Sequence, residues 1–239
     1  MKFSVTSLAL AAPQAALALV GNSWTFSGSP AGGLKDITFP FRMYGATHTS
    51  GYYYAQQFNF QNINEVGYCG IQNRPNQAGQ SIVHAVFSTF QGGSTTNDAN
   101  CHSGADGGPG VSCAKEFVGS YNAVYNIVVQ HVSGTTWRGT AVDTSTGKSV
   151  HIGSFTLPSS AGGIRSSQVG FVEYYPWNAG THQCRSLPKT AVTMYRPTSK
   201  TPGAGVGRIG KPYEYGDCVG KVAFATTKVA NGYDITCGF

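Results

Sequence analysis

Apolar and polar residues alternate along much of this chain with a period of two, the pattern of strands that bury one face. In GYYYAQQFNF (51–60), Tyr52, Tyr54, Gln56, Phe58 and Phe60 fall on one side, and Tyr53, Ala55, Gln57 and Asn59 on the other. In the run from 66 to 74, Tyr68, Gly70, Gln72 and Arg74 share a face. In 167–175, Val169, Phe171, Glu173 and Tyr175 align, and Tyr174 points the other way. SIVHAVFSTF (81–90) is apolar on both sides apart from His84, which predicts a strand in the middle of a sheet. Further strand-like runs cover 37–44, 121–132, 136–144, 149–157, 190–197, 220–229 and 233–237, and turn pairs such as Thr146-Gly147 and Asn231-Gly232 punctuate them. The spacing predicts an all-β fold. Its expected form is an antiparallel β-sandwich, jelly-roll-like, in a single domain over 19–239, with 198–212 as a long Gly/Pro-rich loop. A helix is expected only as a short piece around 112–119.

Composition agrees with this pattern. The chain has 13 Tyr, 13 Phe and 32 Gly but only 11% charged residues, which suits aromatic strands joined by glycine turns. Lys2, the apolar run 8–20 and the small-x-small signal Ala16-Leu17-Ala18 read as a secretory signal peptide over 1–18, with the mature chain beginning near Leu19. No later stretch is long and apolar enough to span a bilayer, so a secreted, extracellular monomer is expected. The cysteines (69, 101, 113, 184, 218 and 237) are even in number, which in an exported chain predicts disulfides throughout. The net charge of +6 is uneven. From His182 to the end, eight Lys/Arg face three acids, whereas Leu19 to Thr181 has seven of each. The segment from Tyr174 to Pro212 has no acid and carries Arg185, Lys189, Arg196, Lys200, Arg208 and Lys211. Such a band attracts polyanions, and it serves equally as plain solvated surface. Between Arg185 and Lys211 only Tyr195 interleaves as an aromatic, so nucleic acid is not the expected partner.

The stretch NDANCHSGADGGPGVSC (97–113) allows three readings. Zinc needs paired Cys or His ligands at motif spacing, and oxidised cysteines do not ligate it. Calcium needs several oxygen ligands, which Asn97, Asp98, Asn100 and Asp106 supply without the EF-hand spacing; Asp98 and Asp106 are its candidate ligands, and no other cofactor is expected. The favoured reading is a disulfide, Cys101–Cys113, across a glycine-rich loop, stabilising by roughly 3 kcal/mol through chain entropy. It leaves His102 and Asp106 as functional groups on a pinned loop.

Several of these residues carry a family pattern. Gly67-Tyr68-Cys69-Gly70-Ile71-Gln72, then Val86-Phe87-Ser88-Thr89-Phe90, then Cys101 to Cys113 and Lys115-Glu116-Phe117, followed by Trp137, Asp143, Thr146-Gly147 and Ile152-Gly153, resemble an exported domain of unknown function from actinobacteria and filamentous fungi. The resemblance covers about residues 50–175. It departs at Cys69, where an aromatic is usual, and at Thr89-Phe90, where a Trp is usual. It implies a β-sandwich-type domain often found beside carbohydrate-related modules, and it carries over no catalytic residue. Against that family pattern, Cys69 and Cys237 look like additions that pair with each other, which leaves Cys184 with Cys218.

No nucleophile elbow, zinc-protease helix, P-loop or dinucleotide fingerprint is present. A glycan-binding module would use aromatic faces with amide or guanidinium donors. Its candidates include Tyr54, Tyr68 and Trp177 with Gln56, Glu173 and His102, although most aromatics in a β-rich chain are core. A polysaccharide lyase acting by β-elimination on a uronate-containing glycan needs a base, a donor that neutralises the carboxylate, and an acid. His84, Gln72, Arg74 and Tyr175 fit those roles, while a histidine in an otherwise apolar strand is more often a hydrogen-bonded core residue. A glycoside hydrolase would need two carboxylates, of which Glu116 and Glu173 are the best pair; it ranks below the lyase. A basic, non-catalytic secreted effector or toxin is the remaining alternative. The expectation is a secreted protein that engages extracellular or cell-wall polysaccharide, with binding placed ahead of turnover.

Overall fold

The computed structural model describes residues 18–180 and 182–239. The expected signal peptide therefore lies outside the described residues, apart from the backbone of Ala18. The strands in chain order begin with β1 (Ala18–Phe26), β2 (Asp36–Arg42), β3 (Tyr52–Asn59), β4 (Val66–Asn73) and β5 (Ile82–Thr89). A hairpin follows, β6 (Cys101–Ala105) and β7 (Gly108–Val118), and then β8 (Tyr125–Ser133), β9 (Thr136–Asp143), β10 (Ser149–Thr156) and β11 (Ser167–Tyr174). The chain ends through β12 (Thr190–Tyr195), β13 (Gly207–Ile209), β14 (Tyr213–Glu214), β15 (Ala225–Val229) and β16 (Gly232–Cys237). Two short 3-10 turns, Tyr175–Ala179 and Cys184–Ser186, lie between β11 and β12. Among the described residues, no helix is long and apolar enough to cross a membrane.

The strands form two antiparallel sheets. The first runs β13-β1-β11-β3-β4-β5-β7-β6, with β14 also paired to β1; the second runs β10-β9-β8-β2-β12-β16-β15. The all-β sandwich expected from the alternation is the observed architecture. Period-two patterning decides which side chains meet between the layers. The inner faces contribute Trp24, Phe39, Phe58, Phe87, Trp137 and Phe155, all nearly inaccessible. Phe87 stacks on Phe155 across the interface at 4.4 Å. β5, apolar on both faces, sits between β4 and β7 as a central strand should.

The first sheet also has an outer face. Tyr53, Ala55, Tyr68, Val86 and Phe171 form a second, smaller cluster there, with Phe90, Ala114 and Tyr175 packed against it. Tyr53 meets Tyr68 edge-on at 5.3 Å and Phe171 at 5.7 Å.

The segment 97–113 is more regular than a glycine-rich loop. Ala105 pairs with Gly108, so Asp106-Gly107 is a two-residue hairpin turn. Both turn residues have positive φ, 47° and 78°, as an Asp-Gly primed turn requires. Cys101 and Cys113 face each other across this hairpin and are joined. The bridge packs on Gly153 of β10, where an added Cβ would lie 2.4 Å from Cys101 Sγ. The short helix expected around 112–119 is instead β7, which pairs with β5 from Val111 to Val118. Alternating contacts of Val111 and Cys113 with the core outweigh the weak local helix signal.

Cys184–Cys218 is the second disulfide. The expected Cys69–Cys237 bond is not formed, and both thiols are free and buried. The reason is position along β3. Cys237 lies 3.9 Å from Tyr52 Oη, whereas Cys69 pairs with Gln56, four residues along the strand. Four residues span roughly 13 Å, about twice the Cα separation a disulfide tolerates. The long loop 198–212 contains β13 and is tied down by Asp36, whose carboxylate accepts from Lys200 N at 2.8 Å and Thr201 Oγ1 at 2.8 Å.

Candidate functional site

Register places five outer-face side chains in one straight row across the first sheet. Glu173 of β11 pairs with Tyr53 of β3, Tyr53 with Gln72 of β4, Gln72 with His84 of β5, and His84 with Glu116 of β7. Arg74 follows Gln72 on the same face, just past the end of β4. Its backbone is fixed by Tyr121, whose hydroxyl accepts from Arg74 N at 2.8 Å and donates to the Ile82 carbonyl at 3.0 Å.

Arg74 is the centre of a hydrogen-bonded cluster. Its Nε donates to Glu116 Oε1 at 3.0 Å, Nη2 to Gln72 Oε1 at 2.7 Å, and Nη1 to the Asn73 carbonyl at 3.0 Å and to Tyr175 Oη at 3.3 Å. Glu116 Oε1 also lies 3.1 Å from His84 Nδ1, and its Oε2 accepts from Gln77 at 3.3 Å. The four residues assigned from sequence to elimination chemistry, His84, Gln72, Arg74 and Tyr175, are therefore neighbours. Glu116 joins them; the sequence singled it out only as a carboxylate in a segment expected to be helical, and the β5–β7 register is what sets it beside His84.

The electrostatics follow from partial burial. The His84 side chain is 19% exposed. Burial, reinforced by the charge of Arg74 and opposed by Glu116, depresses its pKa to about 4. Burial works against the Glu116 carboxylate, but the hydrogen bonds from His84 and Arg74 outweigh it and hold that carboxyl below its ordinary value. Near neutral pH the His84–Glu116 contact is thus a hydrogen bond from a neutral imidazole, and Arg74 is the cation that keeps Glu116 ionised. An ionised carboxylate only accepts, so Nδ1 carries the proton and Nε2 keeps its lone pair. The bond from Arg74 to Gln72 Oε1 likewise leaves the Gln72 amide NH₂ as a donor.

The other sequence candidates divide between the two faces. Tyr68 and His102 lie on the outer face with the cluster, His102 exposed and Tyr68 nearly buried. Tyr54 and Gln56, expected among ligand-binding residues, are corrected to the interior: they point between the sheets at 0% and 1% exposure. Tyr54 hydrogen-bonds Thr190, and Gln56 Nε2 contacts Met194 Sδ at 3.7 Å. Trp177 is also buried, at 8%, against the main core and stacked on His182 at 4.5 Å, so it offers no ligand platform.

Glu173 is 6% exposed, and burial raises its pKa, opposed by a hydrogen bond from Asn178. It stands at the opposite end of the row from Glu116. Four strand spacings separate their backbones by roughly 19 Å, well beyond the ~5–9.5 Å of a glycosidase carboxylate pair. The two-carboxylate hydrolase, the alternative ranked below the lyase, is not assembled from this pair.

The proposed calcium ligands are not brought together either. Asp98 Oδ2 lies 2.6 Å from His151 Nε2 and accepts from Ser154 at 2.9 Å, and its Oδ1 accepts from Asn100 N at 3.0 Å. Asp106 instead accepts from Tyr68 Oη at 3.2 Å, which ties the hairpin tip onto the outer face of β4. Among the described residues, the three-membered group of His, Cys and carboxylate ligands that converges is His182, Cys184 and Cys218, and its two sulfurs are joined to each other. A separate recess of about 550 Å³, lined by Ser29, Gln61, Asn62 and Arg165 among others, shares no residue with the Arg74 cluster.

No family model and no curated protein matches the chain. Among solved structures it is similar to scytalidoglutamic peptidase bound to a peptide-based transition-state analogue, at 12% identity over 94% of this chain and 100% of that one, with a TM-score of 0.49. It is also similar to SCP-B, a member of the eqolisin family of peptidases in complex with the tripeptide Ala-Ile-His, at 14% identity over 94% of this chain and 100% of that one, with a TM-score of 0.46.

Proposed function

We propose that this protein is a secreted enzyme that engages a uronate-containing polysaccharide on the outer face of its first sheet and cleaves it by β-elimination. The observation that carries this reading is the Arg74-centred cluster, in which a neutral His84 is oriented by Glu116 beside the Gln72 amide and the Tyr175 hydroxyl. Pure glycan binding through aromatic platforms is less well supplied there, because Tyr53, Tyr68 and Phe171 are each under 9% exposed.

In the reaction, His84 Nε2 takes the proton from the carbon next to the uronate carboxylate. Glu116 stabilises the imidazolium as it forms. The Gln72 amide and the charge of Arg74 face the negative charge that builds on the carboxylate oxygens. The electron pair released by the C–H bond forms a C=C bond and expels the glycosidic oxygen. Tyr175 protonates that oxygen; its own oxygen accepts from Arg74, so its proton points elsewhere and is available. Proton return from His84 to Tyr175 through solvent closes the cycle.

The test is incubation with a panel of uronate polymers while ultraviolet absorbance of the unsaturated product is followed. Activity in the wild type that is lost in His84→Gln and Glu116→Gln, with both variants folded, supports the reading. Binding without product from any polymer reduces it to a binding module. Hydrolysis of a protein substrate with no unsaturated product replaces it with a peptidase.

A further inference from the structure

The outer face continues beyond β11 to an edge that differs from the rest. Gly21 of β1 pairs with Phe171 on one side and with Tyr213 of β14 on the other. Phe171 pairs with Ala55, Ala55 with Gly70, and Gly70 with Val86, so Tyr213 heads a row that passes directly beside the His84 row. The Tyr213 ring rests on Gly21, where an added Cβ would lie 2.8 Å from its Cζ. Two residues on, Tyr215 is anchored by a bond from its N–H to the Leu19 carbonyl at 3.2 Å.

These two rings are 6.1 Å apart and are 48% and 36% exposed. They contrast with the nearly buried aromatics in the middle of the face. Their surroundings carry both signs, with Glu173 close enough to act on Tyr215 and two cations on the solvent side. Arg208 of β13 pairs with Thr25 two alternations along β1 from Gly21, which puts it on the same face, and Lys211 precedes the tyrosines; both are exposed. The nearby Glu214 is engaged, accepting from Gly220 N at 3.0 Å. Two of the six cations of the acid-free segment, Arg208 and Lys211, thus lie toward the edge of the face that carries His84.

We infer that Tyr213 and Tyr215, with Arg208 and Lys211, form a second binding station for the same acidic polysaccharide, which lies across the strands from this edge to the His84 cluster. Exposed, fixed aromatic rings suit the apolar faces of sugars, and the flanking cations suit their carboxylates. The inference rests on the reading of the face as a polysaccharide site, and it fixes the substrate class as a long chain. Five strand spacings separate β14 from β5, a span of roughly 24 Å that only an extended oligomer covers.

The experiment compares wild type, the double variant Tyr213→Ala/Tyr215→Ala, and His84→Gln, each checked for an unchanged thermal midpoint. Binding and cleavage are measured on a uronate polymer and on its trisaccharide. The expected result for the double variant is a rise of about tenfold or more in KM and Kd for the polymer, with kcat held and the trisaccharide unaffected. His84→Gln is expected to lose turnover and keep polymer binding. Unchanged polymer affinity in the double variant overturns the station and leaves the elimination reading intact. Tyrosine-dependent binding in a wild type that cleaves nothing upholds the station and removes the elimination reading. A wild type that binds no uronate polymer removes both.

Discussion

His84 makes the pH dependence of stability a direct test of the site's electrostatics. In the unfolded chain its pKa returns to 6.5, whereas in the fold it is about 4. A depressed histidine pKa means that the unfolded state binds more protons between these values, so stability is full above pH 6.5 and falls as pH drops toward 4. The whole interval corresponds to roughly 3 kcal/mol, and the part between about pH 7.5 and about pH 5 to roughly 2 kcal/mol. In a domain of this size that is a fall of about 4–8 °C in Tm. The perturbation is His84→Gln, which keeps an amide donor toward Glu116 and removes the titration. Chemical denaturation of both proteins at the two pH values isolates His84, because the histidines and carboxylates remote from it cancel in the difference and Glu116, held below its ordinary value, stays largely ionised in this range. The variant is expected to lose about 2 kcal/mol less than the wild type on acidification. Parallel losses, agreeing within about 0.5 kcal/mol, would show that His84 titrates as an ordinary solvated imidazole and would remove the argument that Nε2 is a preorganised base.

Three further outcomes are expected. The acid limb of kcat/KM on a uronate polymer should fall through about pH 4 and not through 6.5, since the base must be neutral; a midpoint near 6.5 in a rate profile refutes this. Cys101→Ser/Cys113→Ser should lower unfolding free energy by about 3 kcal/mol in urea titration, less any relief of native strain, and a loss below about 1 kcal/mol would mean that the hairpin is fixed by its turn and ladder alone. Cys69 and Cys237 should resist a thiol reagent in the native protein and both react after unfolding without reductant. Burial raises both thiols, Cys237 to about 12, and rapid native labelling of either would contradict its burial.

Much of the strand layout and the facing of its side chains was legible in the sequence, because a single period decides both. Within each strand, alternation groups Tyr53 with Ala55, Gln72 with Tyr68 and Arg74, and Glu173 with Phe171 and Tyr175, and the structure keeps each group on one side of the sheet. The sequence does not show which strands lie side by side. Pairing of β5 with both β4 and β7 is a long-range choice, and it is what puts Glu116 next to His84. The same ignorance made Tyr54 and Gln56 look like ligand groups: alternation separates the faces but does not say which one is covered by a second sheet. β1 was hidden because Ala18–Phe26 adjoins the apolar leader and reads with it. The hairpin at 101–113 was hidden because its glycines suggest an irregular loop, although Asp106-Gly107 is itself a hairpin signal. The Cys69–Cys237 expectation rested on the family resemblance, in which both look like additions, and the sandwich spaces them too far apart along β3.

In β4 and the residue just after it, core and site are interleaved at every other position: Cys69 and Ile71 fill the interior, while Tyr68, Gln72 and Arg74 face outward. Deleting or inserting a single residue upstream within this strand would therefore invert its remainder, driving a guanidinium and an amide toward the aromatic interior and expelling Ile71 to water. The reading frame of the strand is thus guarded twice, by folding and by function, and diversity in this protein should accumulate as point replacements on the outward positions, with length changes confined to the turns.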